Sequence, residues 1–457
     1  MNPWLAGHLF WPLTERLVGR DTMRRFDDLC RSERWSTERR RDLQARKLRR
    51  ILRSAAQHCP FYARRFRDAG LDPADPHLGP DDLRCLPVLA RAEIREHLHE
   101  MTWSGCPGGP LLYNTGGSSG EPLRFHVDRF RNAADTAARL RARSWWGVAP
   151  GDREILLWGA PTELKTNDRV RRCRDALLNQ SILNAFDMTA ETMSAYLTTI
   201  RDRRPVCIYG YASSLALLAR HAQENGQPLT SSGLARPRAV FATGEVLLDQ
   251  DRQAIESVFG APVAVEYGSR DGGFTAMSCR AGHLHAADEN LIVELLDDNG
   301  QPVAAGEAGR ITLTHLEALA MPLIRYAIGD LARQPPKTAL PCRCGRNLTS
   351  LAEIRGRLTD QIVCREHGQL KHMHALSLIY VLREAEGLAQ FRVLQPSIDR
   401  LEIEVVADHR FTSLVERDVE QSLRRRMGEG VTIIIQRRDR IPPTASGKHA
   451  CVVSQVR

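Results

Sequence analysis

The sequence lacks any apolar run close to the roughly 18 residues that a membrane-spanning helix needs, so we expect no membrane span. It has no internal repeat, no low-complexity tract and no nucleic-acid-binding motif, and aromatic residues make up only 6% of the chain. A net charge of +9 would suit nucleic acid or an anionic surface, but it equally suits an enzyme that binds nucleotides and acids. We therefore expect no nucleic-acid partner.

The chain also lacks the cysteine spacing of a disulfide framework. Its 11 cysteines are an odd number and are scattered, which is typical of a reducing compartment, so we expect a cytoplasmic protein. The first eleven residues are apolar and aromatic but have neither the charged start nor the cleavage site of a signal peptide. We expect this segment to pack on the body of the protein, with contact to a membrane surface as the alternative.

A length of 457 residues exceeds one ordinary domain, and 42% apolar with 26% charged residues is typical of globular proteins. Apolar residues recur at helical intervals in the first 100 residues or so. From about 150 to 320, short apolar strands alternate with helical segments, each strand followed by a glycine-containing turn. The expected strands and their glycines are 154–158 with Gly159, 206–209 with Gly210, 239–242 with Gly244, and 263–267 with Gly268.

This alternation predicts an α/β fold: a large N-terminal domain, 1–355, with mainly parallel sheets and helices. Ligands on such sheets bind at the loops beyond the strand ends. A different pattern of strands around one helix over 362–457 predicts a small α+β domain. We place a hinge between the two domains at 356–361, and the chain as a monomer or homodimer.

One loop stands out, because Thr115–Gly120 holds three glycines and three hydroxyl side chains and is followed by Glu121 and Pro122. Glycine at this density disfavours a helix or a strand. Backbone N–H groups and hydroxyls in such a loop can surround an anion, as phosphate-binding loops do. It is not the GxxxxGK[ST] pattern, since no lysine follows the last glycine. The alternative is a flexible surface turn.

The loop is the first of six short motifs in a definite order. They are Thr115–Pro122, Thr243–Glu245, Tyr267–Asp271, Tyr326–Asp330, Gly356–Arg357 and Ser446–Lys448. This set resembles the adenylate-forming superfamily of acyl-CoA synthetases and adenylation domains. Short segments such as Tyr209–Ser214 and Cys342–Arg346 resemble the sequences of one branch, the phenylacetate–CoA ligases and their relatives from capsule biosynthesis.

The resemblance implies two-step chemistry with ATP, Mg²⁺ and a mobile C-terminal domain. A carboxylic acid is first converted to an acyl-adenylate, and a thiol, most often that of coenzyme A, or an amine then takes the acyl group. The implied ATP-binding residues are Thr115, Gly116, Gly117, Ser118, Ser119, Gly120, Thr243, Gly244, Glu245, Tyr267, Gly268, Ser269 and Asp330. Among them, Tyr267 would stack on adenine and Asp330 would bind the ribose hydroxyls.

Three residues would carry the catalysis by the same resemblance. Asp271 stands where the family has a glutamate that holds Mg²⁺, Arg357 would reach the ribose or phosphates, and Lys448 would neutralise charge on the α-phosphate. Each has a structural alternative: a turn residue for Asp271, a surface ion pair for Arg357 and a solvated lysine for Lys448. In the same way, Tyr267 could be ordinary core and Asp330 a helix N-cap.

The motif Tyr326–Asp330 departs from the usual pattern, because Ala327 and Ile328 replace a cation and a hydroxyl. Arg270 would then supply the missing charge. We place the acyl pocket around Trp158, Tyr209, Gly272 and Gly273, where the two glycines would leave room for a ring or chain.

A Cys/His set predicts a structural zinc site. Cys342 and Cys344 lie two residues apart, and Cys279 and His285 come earlier in the chain, which supplies four soft ligands for a tetrahedral site. His285 is preferred to His283 by resemblance. The alternative is three buried free cysteines and a histidine.

Three functions remain open at this point: an acyl- or aryl-CoA ligase, an adenylating ligase that transfers to an amine or carrier protein, and a non-catalytic nucleotide-binding protein.

Overall fold

The computed structural model divides the chain at Arg355 and Gly356 into two compact units, with Met1–Thr115 and Pro122–Arg355 in the first and Gly356–Arg457 in the second. The residues described are 1–115, 123–158, 168–185, 188, 190–227, 229, 236–357, 361–366, 369–374, 378, 381–382, 385–428, 430–441 and 452–456.

The first unit begins with helices, as the apolar periodicity predicts. They are α1 (Pro3–Leu5), a π-helical turn (Ala6–Phe10), α2 (Trp11–Leu17), α3 (Thr22–Ser32), α4 (Thr37–His58), α5 (Pro60–Asp68), a 3₁₀ turn (Pro80–Cys85) and α6 (Arg91–Glu96). In α4 the Ser36 hydroxyl caps the first turn by accepting from the Arg39 N–H at 3.2 Å. Leu48, Ile51, Leu52 and Ala55 lie three or four residues apart, so one face of α4 enters the core.

An eight-stranded sheet, here called the main sheet, forms the centre of this unit, with strand order β13-β9-β8-β7-β6-β5-β3-β4. Its parallel part consists of β3 (Glu154–Trp158), β4 (Gln180–Asn184), β5 (Cys207–Tyr211), β6 (Ala239–Thr243) and β7 (Val263–Ser269). The antiparallel part consists of β8 (Gly273–Ser278), β9 (Leu284–Ala286) and β13 (Ser350–Leu351).

Helices connect and cover these strands: α7 (Arg129–Ser144), α8 (Asp168–Leu177), α9 (Ala190–Arg203), α10 (Ala212–Glu224) and α11 (Asp249–Phe259). The four predicted strands are therefore confirmed, and so is the α/β class. Two of the expected turn glycines are placed differently, because Gly210 lies inside β5 and Gly268 lies at an irregularity inside β7.

A second sheet of the first unit has the order β10-β11-β12-β14, with β10 (Leu291–Leu296), β11 (Ala308–His315), β12 (Tyr326–Arg333) and β14 (Glu353–Arg357). The pairings β10–β11 and β11–β12 are antiparallel, unlike those in the parallel part of the main sheet. Two further strands, β1 (Leu111–Asn114) and β2 (Arg124–Val127), come before both sheets in the chain and pair antiparallel with each other.

The second unit is rich in strands, with one long helix. Its elements are β15 (Gln361–Glu366), β16 (Gln369–His374), β17 (Leu388–Ser397), β18 (Arg400–Ala407), α12 (Ser413–Met427), β19 (Thr432–Arg437) and β20 (Val452–Ser454). The four-stranded sheet β19-β18-β17-β20 packs its apolar face on α12, with Ile403, Val405, Val419 and Leu423 buried between them. The second unit therefore has a hydrophobic core of its own.

No helix among the described residues is both long and apolar enough to cross a membrane. The N-terminal segment packs against the loop that precedes β3. A Cβ atom added to Gly7 would lie only 2.2 Å from the Pro150 carbonyl oxygen, so the two backbones are in close contact. Its outward face exposes Leu9, Leu13 and Leu17.

Buried charges join the N-terminal helices to the second sheet. The Glu317 side chain is 2% exposed and meets Lys47 Nζ at 2.6 Å, Arg50 Nη2 at 2.8 Å and Arg25 Nη1 at 3.1 Å. Burial opposes ionisation of Glu317, but these three cations outweigh it and hold the pKa of its carboxyl far below the usual range. Glu317 therefore fixes α3 and α4 by charge as well as by packing.

We predict that Glu317→Gln lowers the free energy of unfolding of the first unit by about 3 kcal/mol, because three cations lose their shared anion. All seven tryptophans lie before residue 159, so tryptophan fluorescence during urea unfolding of the full chain reports on this unit. A depressed folded pKa gives stability above the unfolded value of about 4.3 that is lost as the pH falls further. The difference between wild type and variant should therefore shrink below that pH.

The matched control is Glu224→Gln, which changes an exposed glutamate at the end of α10. Equal unfolding free energies for wild type and Glu317→Gln at neutral pH would contradict the anchoring role.

Candidate active site

Two of the sequence motifs lie at one edge of the main sheet. Thr243 is the last residue of β6, and the motif Tyr267–Asp271 runs from β7 into the turn before β8. Because carboxyl ends of neighbouring parallel strands lie at the same edge, the loops after β5, β6 and β7 face a common region.

Gly244 and Glu245 shape the loop after β6. Gly244 has a φ of +76°, and a Cβ there would lie 3.1 Å from the Tyr211 ring. Both the backbone conformation and the lack of space for a side chain therefore favour glycine. Glu245 Oε2 accepts from the Ser213 N–H at 2.8 Å and so caps the first turn of α10. These contacts explain the motif by local structure, and the nucleotide-binding role of Thr243, Gly244 and Glu245 stays a prediction.

Asp271 lies in the turn between β7 and β8 and is 1% exposed. Its Oδ1 accepts from the Ser269 hydroxyl at 2.5 Å, and its Oδ2 accepts from the Tyr326 hydroxyl at 2.6 Å and from Arg91 Nη2 at 3.0 Å. Arg91 Nε also donates to the Tyr326 hydroxyl at 3.0 Å. Asp271, Tyr326 and Arg91 thus form a closed triangle of hydrogen bonds.

The charge balance of this triangle favours the carboxylate. Burial by itself would raise the pKa of Asp271, but Arg91 and the hydrogen bonds from Ser269 and Tyr326 outweigh burial and lower it. The cation beside Asp271 is therefore Arg91. Arg270, expected to replace the charge missing at Ala327, donates to the Asn114 carbonyl at 3.5 Å, and its expected role stays a prediction.

Arg91 was missed by sequence reasoning. It is the first residue of α6, about 180 residues before Asp271, and it lies in none of the six motifs. Only the tertiary pairing of Leu89 with Tyr326 brings α6 to β12, and no local pattern marks that contact.

These contacts bear on the expected magnesium ligand. Both Asp271 oxygens already accept hydrogen bonds, and one also faces a guanidinium, so the carboxylate as arranged does not fit direct Mg²⁺ coordination. A Mg²⁺ ion on Asp271 would require Arg91 and Ser269 to move away. We therefore assign no step to the metal at this residue, and the Asp271–magnesium role stays a prediction.

Tyr267 and Asp330 are direct neighbours. The Tyr267 hydroxyl donates to Asp330 Oδ2 at 2.7 Å, although the two residues are 63 positions apart. Asp330 lies in β12, which excludes its alternative as a helix N-cap. The Tyr267 ring is largely buried in the core cluster of the first unit, so its predicted stacking on adenine uses only the part of the ring that faces outward.

Several predicted residues cannot be placed. Gly116, Gly117, Ser118, Ser119 and Gly120 of the glycine-rich loop lie outside the described residues, as does Lys448. Thr115, at the start of the loop, pairs with Leu123: its N–H donates to the Leu123 carbonyl and its hydroxyl accepts from the Leu123 N–H, both at 2.9 Å. The backbone of Arg357 belongs to β14.

Gly272 and Gly273 do not open a pocket, contrary to the expectation from the sequence. A Cβ at Gly272 would lie 2.5 Å from Ile328 Cδ1, and one at Gly273 would lie 2.5 Å from an Asp135 carboxylate oxygen. The two glycines allow β12 and α7 to approach this turn closely, and side chains of those elements fill the space.

Trp158 and Tyr209, the other residues of the expected acyl pocket, do line a cavity of about 270 Å³. The cavity is lined by α7, by β3 and β5, and by Trp11, the loop 148–152 and Gln180 at the start of β4. Trp158 packs 4.2 Å from the Tyr211 ring and 5.5 Å from the Tyr209 ring, measured between centroids, which gives one wall of aromatic rings.

The Cys/His set converges in space. The ligand atoms of Cys279, His285, Cys342 and Cys344 all lie within 4.8 Å of one another. Cys279 Sγ is 3.7 Å from Cys342 Sγ, close to the roughly 3.8 Å between two sulfurs on a tetrahedral zinc with Zn–S bonds of about 2.3 Å. Cys344 Sγ is 3.1 Å from His285 Nε2, and His285 Nδ1 contacts the Ser350 hydroxyl at 3.2 Å. The residues therefore fit a closed four-ligand site, with His285 and not His283 as the nitrogen ligand.

Two tight turns bring these residues together. Gly282 has a φ of +88° in the turn from Cys279, and Gly345 has a φ of +74° in the turn after Cys342. Burial lowers the pKa of His285 to about 4, which keeps the imidazole in the neutral form that binds metal. Ser350 supplies the partner for the other ring nitrogen that such ligands usually have.

We predict about one zinc per chain in protein purified without added metal, measured by elemental analysis. Cys342→Ser should lose the zinc and lower the melting temperature, because a structural zinc contributes directly to folding stability. Cys106→Ser, which changes a buried cysteine outside this cluster, is the matched control and should keep its zinc. A metal-free wild type whose melting temperature Cys342→Ser leaves unchanged would reduce the cluster to four neighbouring side chains.

Comparisons by sequence and by fold find similar proteins in the same group that the motifs resemble. The family model "CapK C-terminal domain" matches residues 366–455. Protein CapK of Staphylococcus aureus is 22% identical over 374 residues, covering 81% of this chain and 80% of the relative. The phenylacetate–coenzyme A ligase of Thermus thermophilus is 26% identical over 343 residues, covering 72% of each chain.

A crystal structure of 2-hydroxyisobutyryl-CoA ligase in the postadenylation state has a TM-score of 0.72 at 19% identity, covering 93% of this chain and 91% of that one, which shows a shared fold. The motifs, the fold and the relatives agree: the chain is similar in sequence to the phenylacetate–coenzyme A ligases and to CapK, and it shares the fold of an acyl-CoA ligase.

Proposed function

We propose that the protein is an ATP-dependent acid–thiol ligase that converts a carboxylic acid to an acyl-adenylate and then transfers the acyl group to coenzyme A. The observation that carries this proposal is the convergence at the strand ends. Tyr267 binds Asp330, and Asp271 binds Tyr326 of the same β12 motif, so two of the sequence motifs form one site.

The chemistry balances in two steps. A carboxylate oxygen attacks the α-phosphorus of ATP, the bond from that phosphorus to the bridging oxygen breaks, and pyrophosphate leaves. The thiol sulfur then attacks the acyl carbon, AMP leaves, and the thiol proton passes to solvent or a base. When bound, Mg²⁺ with ATP would neutralise phosphate charge.

The protein supplies orientation and charge for the first step. The Tyr267 hydroxyl orients the Asp330 carboxylate, which the resemblance assigns to the ribose hydroxyls. Arg131 of α7 donates to the Asp271 carbonyl at 2.6 Å and to the Arg270 carbonyl at 3.1 Å. These two hydrogen bonds fix the backbone of the turn that carries Asp271. A site supported in this way keeps its geometry during the reaction.

Pyrophosphate release with a panel of carboxylic acids tests the first step. Coenzyme A, a sugar amine, an amino acid and a carrier-protein thiol, offered in turn to the enzyme with its best acid, then identify the acceptor. Transfer to an amine or carrier protein would favour the second candidate, an adenylating ligase with another acceptor, because the same fold serves both.

A non-catalytic nucleotide-binding protein is the remaining candidate, suggested by Ala327 and Ile328 in the β12 motif. Arg91 argues against a loss of catalytic function, because it places a cation beside Asp271. ATP binding without pyrophosphate release from any acid would support this candidate.

We also propose that Cys279, His285, Cys342 and Cys344 bind a structural zinc. With four protein ligands it would have no open position for substrate. It would join the β8–β9 turn to the segment before β13.

We predict that Lys448→Ala lowers the rate of adenylate formation more than a hundredfold while ATP still binds. Removing one such cation from the transition state usually costs about 3 kcal/mol. Pyrophosphate release and equilibrium ATP binding measure the two effects. Lys337→Ala, in a different segment, is the control, and unchanged pyrophosphate release in Lys448→Ala would refute the role of Lys448.

We predict that Asp360→Pro impairs one half-reaction and spares the other. The segment 356–361 is the proposed hinge, and proline there fixes φ and removes an N–H, so only one of two domain orientations would stay accessible. ATP–pyrophosphate exchange and acyl transfer from preformed adenylate are measured separately. Equal loss of both would indicate misfolding, and equal retention would place the hinge elsewhere.

A further inference from the structure

The helical segment Pro3–Leu17 is apolar on both of its faces. Its backbone is helical without a break through α1, the π-helical turn and α2. The inner face packs on the body of the protein, because Ala6 and Gly7 are buried and Trp11 lines the same cavity as Trp158. A surface helix of a globular protein usually turns a polar face to solvent, so the apolar outer face of this segment indicates a binding surface.

The outer face carries a row of leucines at intervals of four residues. Leu5, Leu9, Leu13 and Leu17 are 37%, 51%, 47% and 77% exposed, and we call them the leucine row. Residues four apart drift slowly around an α-helix, but the π turn winds more slowly and offsets part of this drift. The row is therefore a ridge about 18 Å long, since each of its three steps advances about 6 Å.

A proline explains the π turn. Pro12 has no N–H, so the His8 carbonyl loses its usual helical donor. The Trp11 N–H donates to the Ala6 carbonyl, five residues back instead of four. The alignment of the leucine row is therefore encoded in the local sequence.

The helix ends in an apolar tip beside three arginines. Val18 follows the leucine row and is 56% exposed, and Gly19 ends the helix in the left-handed conformation with a φ of +70°. Arg16 and Arg20 flank this tip in the sequence, and a Cβ on Gly19 would lie 3.0 Å from Arg129 Nη1 of α7. Positive charge is thus placed at the end of the row where leucine exposure is greatest.

The nearby acids do not neutralise this end of the row. Glu15 is the one acidic residue in 1–20, and its largely buried carboxylate accepts from the Thr22 hydroxyl and lies 3.7 Å from Arg20 Nη1. Asp21, the next acid, pairs with two other arginines of α3. Arg16 is exposed and forms no ion pair with any residue that the structure describes. The outer face therefore combines apolar side chains with net positive charge.

An anionic membrane surface supplies both kinds of partner that this face requires. In an interfacial helix, leucine and tryptophan side chains enter the boundary between headgroups and acyl chains, while basic side chains meet the anionic headgroups. A second copy of this chain is a poorer match. In whichever direction two such faces packed, their arginines would meet no acid of the segment except Glu15, which is already paired.

We propose that the protein binds the surface of an anionic membrane through the leucine row. The helix Pro3–Leu17 lies parallel to the membrane plane, and Arg16, Arg20 and Arg129 lie against the headgroups. The inner face of the helix stays packed on the protein, so binding requires no unfolding. This proposal does not depend on the activity proposed above.

Sedimentation with lipid vesicles tests the proposal on the full chain. One set of vesicles consists of phosphatidylcholine alone, and the other contains roughly one-third phosphatidylserine. We expect binding to the anionic vesicles and about tenfold weaker binding to the neutral ones. Binding to the anionic vesicles should weaken as the salt concentration rises, because salt screens the arginines.

Tryptophan fluorescence gives a second readout of the same contact. Trp4 is 64% exposed at the start of the helix, so its emission should shift to shorter wavelength when it enters the membrane interface. Trp4→Phe should remove most of this shift while the protein still sediments with the vesicles.

Variants of the row identify the binding face. Leu9→Gln with Leu17→Gln should weaken binding to anionic vesicles roughly 30-fold or more, because two apolar side chains no longer enter the interface. Both positions are exposed, so the melting temperature should stay that of the wild type. Leu414→Gln, which changes a leucine of α12 that is 67% exposed, is the matched control and should bind like the wild type. Arg16→Gln should weaken binding about fivefold and reduce its salt dependence.

Three outcomes would overturn the proposal. The first is no binding to anionic vesicles, or binding that the folded double leucine variant leaves unchanged. The second is equal binding to neutral and anionic vesicles, which would contradict the role of the arginines. The third is a wild-type dimer in light scattering that the double leucine variant converts to a monomer, without vesicle binding, which would assign the face to a second copy of the chain.

Discussion

The structure of the first unit depends on pairing the charges that α7 buries between the two sheets. An unpaired charge at these positions would destabilise the fold by several kcal/mol, so each charge requires a partner on a strand or in a turn. The partners are the carbonyls of Arg270 and Asp271 for Arg131, His315 for Asp135, Glu266 for Arg139, Glu289 for Arg141, and Glu154 for Arg143. These pairs fix the height and rotation of α7 relative to the sheets, and with them the position of the Asp271 turn and the shape of the cavity.

The same principle explains how the site tolerates its unusual sequence. The β12 motif carries Ala327 and Ile328 where the resemblance expects a cation and a hydroxyl, yet Asp271 is not left without a cation, because Arg91 enters from α6. Its contact also reaches the Tyr326 hydroxyl, so the carboxylate, the phenol and the guanidinium hold one another. A buried carboxylate that is bonded on both oxygens is rigid, which suits an orienting role better than direct metal binding.

Function and stability use different parts of the molecule. Glu317 with its three cations ties distant segments together outside the strand-end loops, and the proposed zinc on Cys279 and its three neighbours would do the same.

The sequence by itself predicted the α/β class, the strands at 154–158, 206–209, 239–242 and 263–267, the resemblance to acyl-CoA ligases, and the Cys/His set, because apolar periodicity and motif order are local properties of the chain. The sequence also indicated a change in the pattern of predicted strands and helices close to the point where the two units divide. Only the tertiary structure decided that Arg91 faces Asp271, that neighbouring side chains fill the space at Gly272 and Gly273, and that Trp158 and Tyr209 line a cavity. These facts depend on contacts between residues far apart in the chain, and no spacing along the sequence encodes which side chain a helix presents to a distant strand.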